Sequence, residues 1–342
     1  LPAGLGQNPA RQAARLAIGQ SPMVAAEPGA SDVLLGSLNG VAYAANTLVV
    51  ADSNRVGAEP NNNRVLIYRD LDQQVIGLRE MFPQNDARCP ACIGKAATVV
   101  GQSDFETVTF PQSVAQNTVN RPLGVAYNGR MLAVADTDNN RVLIWRSLPA
   151  SHSTPADYVV GQPDFTTAKA TRALNVKTLR GPQGVWLDES DGLWVADTQN
   201  NRVLYYGVVS QNHPDAKLVL GQPNFASGGG EYFPTSIQVK EDGTAYVAEL
   251  QHREGNPSQI LVYRPPLRSG MPPAQVLARN PVVRRPNYLF LDPLGASHPA
   301  PVGFWSRAAH LAGIHPARPA RQAGCRRLRG LPPDSRPLAL PR

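Results

Sequence analysis

Three aspartates occupy near-identical surroundings along this 342-residue chain: Asp52, Asp136 and Asp197, each closing a Val-Ala-Asp triplet. An Asn-Asn-Arg-Val run follows each one, carrying Arg64, Arg141 and Arg202. A fourth copy is degenerate: Glu249 stands after Tyr246-Val247-Ala248, and Gln259-Ile260-Leu261-Val262-Tyr263 replaces the arginine-bearing run. Carboxylates recurring beside amides could ring a cation. The simpler chemistry is that each carboxylate accepts backbone N–H bonds in its own loop and faces its own arginine. A residue present in every repeat serves what every repeat needs. Asp52, Arg64, Asp136, Arg141, Asp197, Arg202 and Glu249 are therefore assigned to structure, and selectivity is sought where the repeat breaks.

Several places break it. The fourth copy carries Leu250-Gln251-His252-Arg253-Glu254-Gly255-Asn256 where the others have Asn-Asn-Arg, which makes His252, Arg253 and Glu254 a candidate recognition edge. The positions just ahead of the first glycine of each unit are Asn39, Leu123, Gln183, Thr235 and Asn287. The four polar ones suit a small polar ligand, and amides without a carboxylate argue against a calcium site. His152, His213 and His252 fall in loops too far apart to meet at one zinc. No Gly-x-Ser-x-Gly, His-Glu-x-x-His or phosphate-loop motif occurs. Neither a catalytic residue, a metal nor a cofactor is expected. Cys89-Pro90-Ala91-Cys92 lacks the helix that would activate a redox pair, so a local disulfide is expected. That disulfide would imply an oxidising compartment, extracellular or periplasmic.

These residues must be positioned by repeated elements. Val99-Val100-Gly101-Gln102-Ser103-Asp104-Phe105 recurs at 159–165 and 219–225, a step of 60 residues. Each unit divides into four short Val-, Ile-, Leu- and aromatic-rich segments, in the second unit roughly 124–128, 131–136, 141–146 and 157–162. Asn128-Gly129, Asp191-Gly192 and Asp242-Gly243 supply the positive φ that tight hairpins need. Four antiparallel strands repeated every 50–60 residues make a propeller blade. The Gly-Val, Val-Ala-Asp and Asn-Asn-Arg-Val series resembles NHL repeats. The resemblance implies an all-β, NHL-type propeller over residues 15–292, after an irregular segment 1–14. Its blades would be about 38–105, 121–165, 181–225 and 233–280, with a partial fifth at 285–292. In such blades the loops holding Asp and Asn-Asn-Arg share an upper face, and the phenylalanines 105, 165 and 225 wedge between sheets. The family includes binding scaffolds, RNA-binding modules, lyases and lactonase relatives, so the resemblance does not choose among functions.

Composition narrows the choice. Of 33 basic and 26 acidic side chains, eight arginines and one acid, Asp334, lie in 293–342, leaving 25 of each sign in 1–292. A neutral body holds no phosphate-binding field, so nucleic acid is not the expected partner. No apolar run is long enough to span a membrane. Residues 1–30 lack the plan of a signal peptide, so a leader already removed or a fragment is expected. Beyond 292 strand-like alternation stops inside a blade, and the Pro-, Ala- and Arg-rich tail reads as the disordered or frame-shifted end of a truncated propeller. An incomplete ring would follow, with Leu16-Ala17-Ile18-Gly19-Gln20 as an outer strand left over from its last blade. The leading expectation is a monomeric, non-enzymatic bacterial-type scaffold that binds a protein, peptide or glycan on its upper-face loops. A secreted lyase or lactonase-like hydrolase using the central channel, and an RNA-binding propeller, stay open.

Overall fold

The computed structural model describes residues 16–19, 29–53, 61–74, 92–108, 113–230, 232–251, 259–277, 286–291 and 302–306, the last two as backbone. After β1 (Leu16–Ala17), the first blade is built from β2 (Leu38–Ala44), β3 (Thr47–Asp52), β4 (Arg64–Tyr68) and, beyond β5 (Cys92–Ile93), β6 (Thr98–Val100). The second has β7 (Pro122–Tyr127), β8 (Leu132–Asp136), β9 (Arg141–Trp145) and β10 (Tyr158–Val160). The third has β11 (Val185–Leu187), β12 (Gly192–Asp197), β13 (Arg202–Val208) and β14 (Leu218–Leu220). The fourth has β15 (Tyr232–Val239), β16 (Ala245–Gln251), β17 (Gln259–Tyr263) and β18 (Gln275–Leu277). Every blade is an antiparallel meander, and no α-helix occurs among the described residues. The inner strands β2, β7, β11 and β15 contact one another in that order, so the sheets stand side by side as the blades of a β-propeller.

One segment differs from the expectation. Residues 293–342 were expected to hold no strand, yet β20 (Val302–Ser306) pairs antiparallel with β19 (Pro286–Leu291) as a two-stranded sheet beside the fourth blade. Val302, Phe304 and Trp305 are good strand formers, hidden by the Pro and Arg around them. At the other end, β1 pairs in parallel with β5.

Period-two alternation makes the core. In β8, Leu132 and Val134 enter the cluster shared with the first blade, while Ala133 and Ala135 enter the cluster shared with the third. β12 repeats the rule, with Leu193 and Val195 toward the second blade and Trp194 and Ala196 toward the fourth. A sheet buried on both faces is apolar along its middle, with buried charge only in the paired aspartates at the strand ends, which is why these strands read as continuous hydrophobic runs. Each buried Leu or Val contributes about 1.5–3 kcal/mol. Phe165 and Phe225 pack against the clusters between the first and second and between the second and third blades. Among the described residues no four-stranded blade packs on the outer side of the first blade. Val125 and Val185 are 6% exposed at the inner strand, whereas Val41 in the same place is 49% exposed and Tyr43 is 62% exposed. Farther out on that face, Ile18, Leu35, Leu71 and Phe105 cover Val50, Leu66, Tyr68 and Val99.

Candidate functional site

On the upper face each repeated aspartate is the hub of a closed network. Asp136 Oδ1 accepts from Asn120 N at 2.6 Å, and its carboxylate also accepts from the Asn139 amide and from Arg141 Nε at 2.6 Å. Asp197 accepts from Arg180 N at 2.7 Å, Asn200 at 2.9 Å and Arg202 Nε at 2.8 Å. Asp52 accepts from Gly36 N, Ser37 N, Asn62 and Arg64 Nε at 2.7–3.0 Å. The guanidinium then donates onward. Arg202 reaches the Phe225 carbonyl after β14 at 2.6 Å and the Thr178 carbonyl before β11 at 2.8 Å. Arg141 reaches Phe165 and Thr118, and Arg64 reaches Phe105 and Leu34. One arginine thus ties the incoming segment, the outgoing segment and the second-to-third-strand loop of its own blade. All six charged side chains are 0% exposed. Burial pushes the three carboxyls above their ordinary range, against the downward pull of arginine and the N–H donors.

The paired asparagines have separate duties. The first in each pair gives its amide to the carboxylate; the second, Asn63, Asn140 or Asn201, takes a left-handed backbone at φ 42°, 55° or 54°. Asparagine tolerates that conformation better than other non-glycine residues. Its side chain then reaches the next blade, where Asn63 Oδ1 accepts from Arg121 N and Asn140 Oδ1 from Gly181 N. Sequence reasoning missed a further stitch. Ser53, Thr137 and Thr198, each directly after the aspartate, donate to the carbonyls of Pro122, Pro182 and Pro234 in the following blade at 3.1, 2.7 and 2.7 Å. A hydroxyl at that place in three repeats was the signal.

In the fourth blade Gln259 stands at the place the arginine holds in the others. Glu249 pairs across the sheet with Pro234 on one side and Gln259 on the other, and its Oε2 accepts from Gln259 Nε2 at 3.1 Å. It is 3% exposed. Burial pushes its pKa up from 4.5 to about 7, with Gln259 pulling weakly back. A carboxyl whose folded pKa is raised stabilises the protein most while it is protonated in both states. The folded protein should therefore lose stability progressively between pH 4.5 and pH 7, by up to about 3 kcal/mol from this group. Glu249→Gln should remove that component. Its advantage over the parent in urea denaturation should be small at pH 4.5 and largest at pH 8. An advantage that does not grow with pH would contradict the shift.

At the centre, the proposed mouth residues are held by backbone packing. A β-carbon on Gly40 would lie 2.8 Å from the Leu123 carbonyl oxygen, one on Gly124 would overlap that of Gln183, and one on Gly184 would lie 2.7 Å from that of Thr235. The inner strands therefore touch backbone to backbone. Asn39 is buried and donates its amide to the Ser53 carbonyl at 2.6 Å, and Thr235 is buried. Gln183 is half-buried. Only the backbone of Asn287 is described, and His252, Arg253, Glu254 and Cys89 lie outside the described residues. His152 and His213 sit in third-to-fourth-strand loops of different blades. His152 Nδ1 accepts from Val99 N at 3.2 Å, and His213 N donates to the Val159 carbonyl at 2.8 Å, each binding its loop to the blade before it.

The lower face carries a cleft the sequence did not announce. It holds about 400 Å³ between the third and fourth blades. Asp188, Glu189 and Ser190 of the β11–β12 turn line one side, and Lys240, Glu241 and Gly243 of the β15–β16 turn line the other. Trp194 and Tyr205 form its aromatic wall, stacked at 4.3 Å with 29° between planes. Asp188 fixes that wall by accepting from Trp194 Nε1 at 3.2 Å and from Gly192 N at 2.7 Å. Burial, then the Asp188 carboxylate, push the Tyr205 phenol above its ordinary range. Glu189 and Glu241 meet across the cleft from separate blades, and the Glu241 charge pushes the Glu189 carboxyl up.

The fold and its sheets define the chain as a β-propeller. Compared with models of known protein families and with curated proteins, the chain matches none. Solved structures similar to it include a candidate 6-phosphogluconolactonase from Bacteroides uniformis, at 12% identity and TM-score 0.40, covering 75% of this chain and 60% of that one. A streptogramin B lyase is similar at 9% identity and TM-score 0.34, covering 71% of this chain and 57% of that one. A chain of a nidogen/laminin complex is similar at 10% identity and TM-score 0.35, covering 70% and 63%. The chain thus spans about three fifths of the length of these structures.

Proposed function

We propose that the chain is a non-enzymatic propeller of the NHL type, serving as an interaction scaffold for a protein, peptide or glycan. The observation that carries this reading is the internal saturation of the repeated polar residues. Every Asp–Arg pair of the first three blades is fully buried, and each guanidinium is spent on carbonyls of its own blade. Groups so occupied hold shape and have no free valence for a substrate. Recognition is left to positions where neighbouring blades differ, which include the irregular loop after Glu249 and the cleft beside Trp194.

The test is a screen of the full chain against immobilised peptide and glycan arrays, with and without a metal chelator. Saturable binding that survives the chelator is expected. One observation favours a second reading: a buried carboxyl poised near neutrality, as Glu249 is, suits general acid–base chemistry. Turnover of a lactone that Glu249→Gln abolishes would overturn the scaffold reading in favour of a hydrolase.

A further inference from the structure

The lower-face turns of successive blades meet in pairs, and the pairs are not alike. Between the second and third blades a cation meets a carboxylate: Arg130 forms an ion pair with Asp191, and the Asn128 amide donates to the same carboxylate at 2.7 Å. Between the third and fourth blades, carboxylate meets carboxylate, Glu189 facing Glu241. Two like charges brought together from separate blades repel, and the arrangement is relieved by a positive group placed between them. Lys240 lines the same cleft, but its ammonium sits 5.7 Å over the Tyr246 ring. Asp188 is committed to the Trp194 indole and to backbone N–H groups.

The charge pattern coincides with an aromatic wall and a solvent-open cleft. A guanidinium gains from a ring face and from two-pronged carboxylate bonding at once. The second blade displays that combination internally, with Arg146 held 5.8 Å over the Tyr158 ring while its Nε bonds Asp157 at 3.3 Å. In the cleft the ring is Tyr205, backed by Trp194, and the carboxylates are Glu189 and Glu241, but no arginine lines it.

We propose that the cleft between the third and fourth blades is a binding site for a cationic side chain, an arginine guanidinium above all, presented on a peptide. Glu189 and Glu241 clasp the charge, Tyr205 supplies the platform, and Trp194 with Asp188 holds the platform in place. The proposal rests on the scaffold reading and gives it a ligand class. The occupant is an arginine-bearing peptide of another molecule, drawn by charge complementarity to the carboxylate pair; the eight arginines this chain carries between 307 and 342 are the competing occupant that the test excludes.

The experiment is isothermal titration of the full chain with hexa-arginine, using hexaglutamate as the control. Glu189→Gln combined with Glu241→Gln should weaken hexa-arginine binding on the order of tenfold or more, and added salt should weaken it further. Both substitutions are at exposed turn positions, so an unchanged far-UV spectrum should accompany the loss. A second variant, Tyr205→Leu, should weaken binding with every carboxylate intact. A full-length variant with the eight tail arginines replaced by glutamine distinguishes the sources. Unchanged hexa-arginine binding in that variant supports an external peptide, and tighter binding would overturn it in favour of the chain's own tail. Equal affinity in the double glutamine variant, or equal affinity for hexaglutamate, overturns the proposal. A ligand found on the arrays whose affinity ignores Glu189 and Glu241 would remove the cleft while leaving the scaffold reading intact.

Discussion

Arg202→Met should destabilise the chain by about 3–5 kcal/mol in urea denaturation, because it leaves a buried carboxylate without its countercharge. Asp197 would keep only the Asn200 amide and the Arg180 N–H, in a place with no access to water. The Phe225 and Thr178 carbonyls would lose their donor in the same step. Methionine fills much of the arginine stem's volume, so the loss reports charge and hydrogen bonding more than a cavity. Against a total stability of roughly 5–15 kcal/mol for a domain, that is a large fraction. Replacing both partners, Arg202→Met with Asp197→Leu, should recover much of the loss, since apolar replacement of a whole buried pair is often close to neutral. Arg130→Met supplies the contrast. It also breaks an ion pair, with Asp191, but the arginine is 64% exposed and the cost should stay below about 1 kcal/mol. Equal losses in the two single variants would mean that the buried networks do not hold the blades closed.

Gly184→Ala is the second large effect, with an expected cost of about 1–3 kcal/mol from overpacking. The added methyl would meet the Thr235 carbonyl oxygen and the Ser236 Cα, both at 2.7 Å and both backbone of the next blade's inner strand. No side chain is there to rotate away, so two blades must separate. The control is Gly229→Ala, where nothing lies within 4 Å and the shift should stay within about ±0.5 kcal/mol. A loss at Gly229 matching that at Gly184 would point to the glycine backbone rather than to the contact between inner strands.

Much of this architecture is legible in the residues. Segments placed at 131–136 and 141–146 by their hydrophobic runs correspond to Leu132–Asp136 and Arg141–Trp145. The reason is physical: a strand buried on both faces is apolar except where a buried polar group is paired, as Asp136 and Arg141 are at the strand ends, so the hydrophobic run marks its extent. The cleft was not legible. Glu189 and Glu241 look like the ordinary solvated charges of two turns 52 residues apart, and only the sideways packing of sheets brings them face to face. Trp194 and Tyr205 were hidden by the opposite cause, since an aromatic within a repeat reads as core. Val302–Ser306 was lost in the composition of its neighbours, because a window averaged over Pro and Arg conceals a short strand.

From each of the first three blades to the next, a hydroxyl after the aspartate takes the carbonyl of the coming proline, and at the first two of these boundaries the second asparagine of the pair also takes the coming amide. The arginine clasp, meanwhile, closes within its own unit. A module that is sealed by itself and coupled to its successor by a universal joint carries no instruction about how many modules there should be. Duplication or deletion of one of the first three units would leave each remaining hydroxyl–proline joint chemically correct. Lineages built this way can change circumference by recombination alone, and only the individual turns, such as those bearing Glu189 and Glu241, need be reinvented.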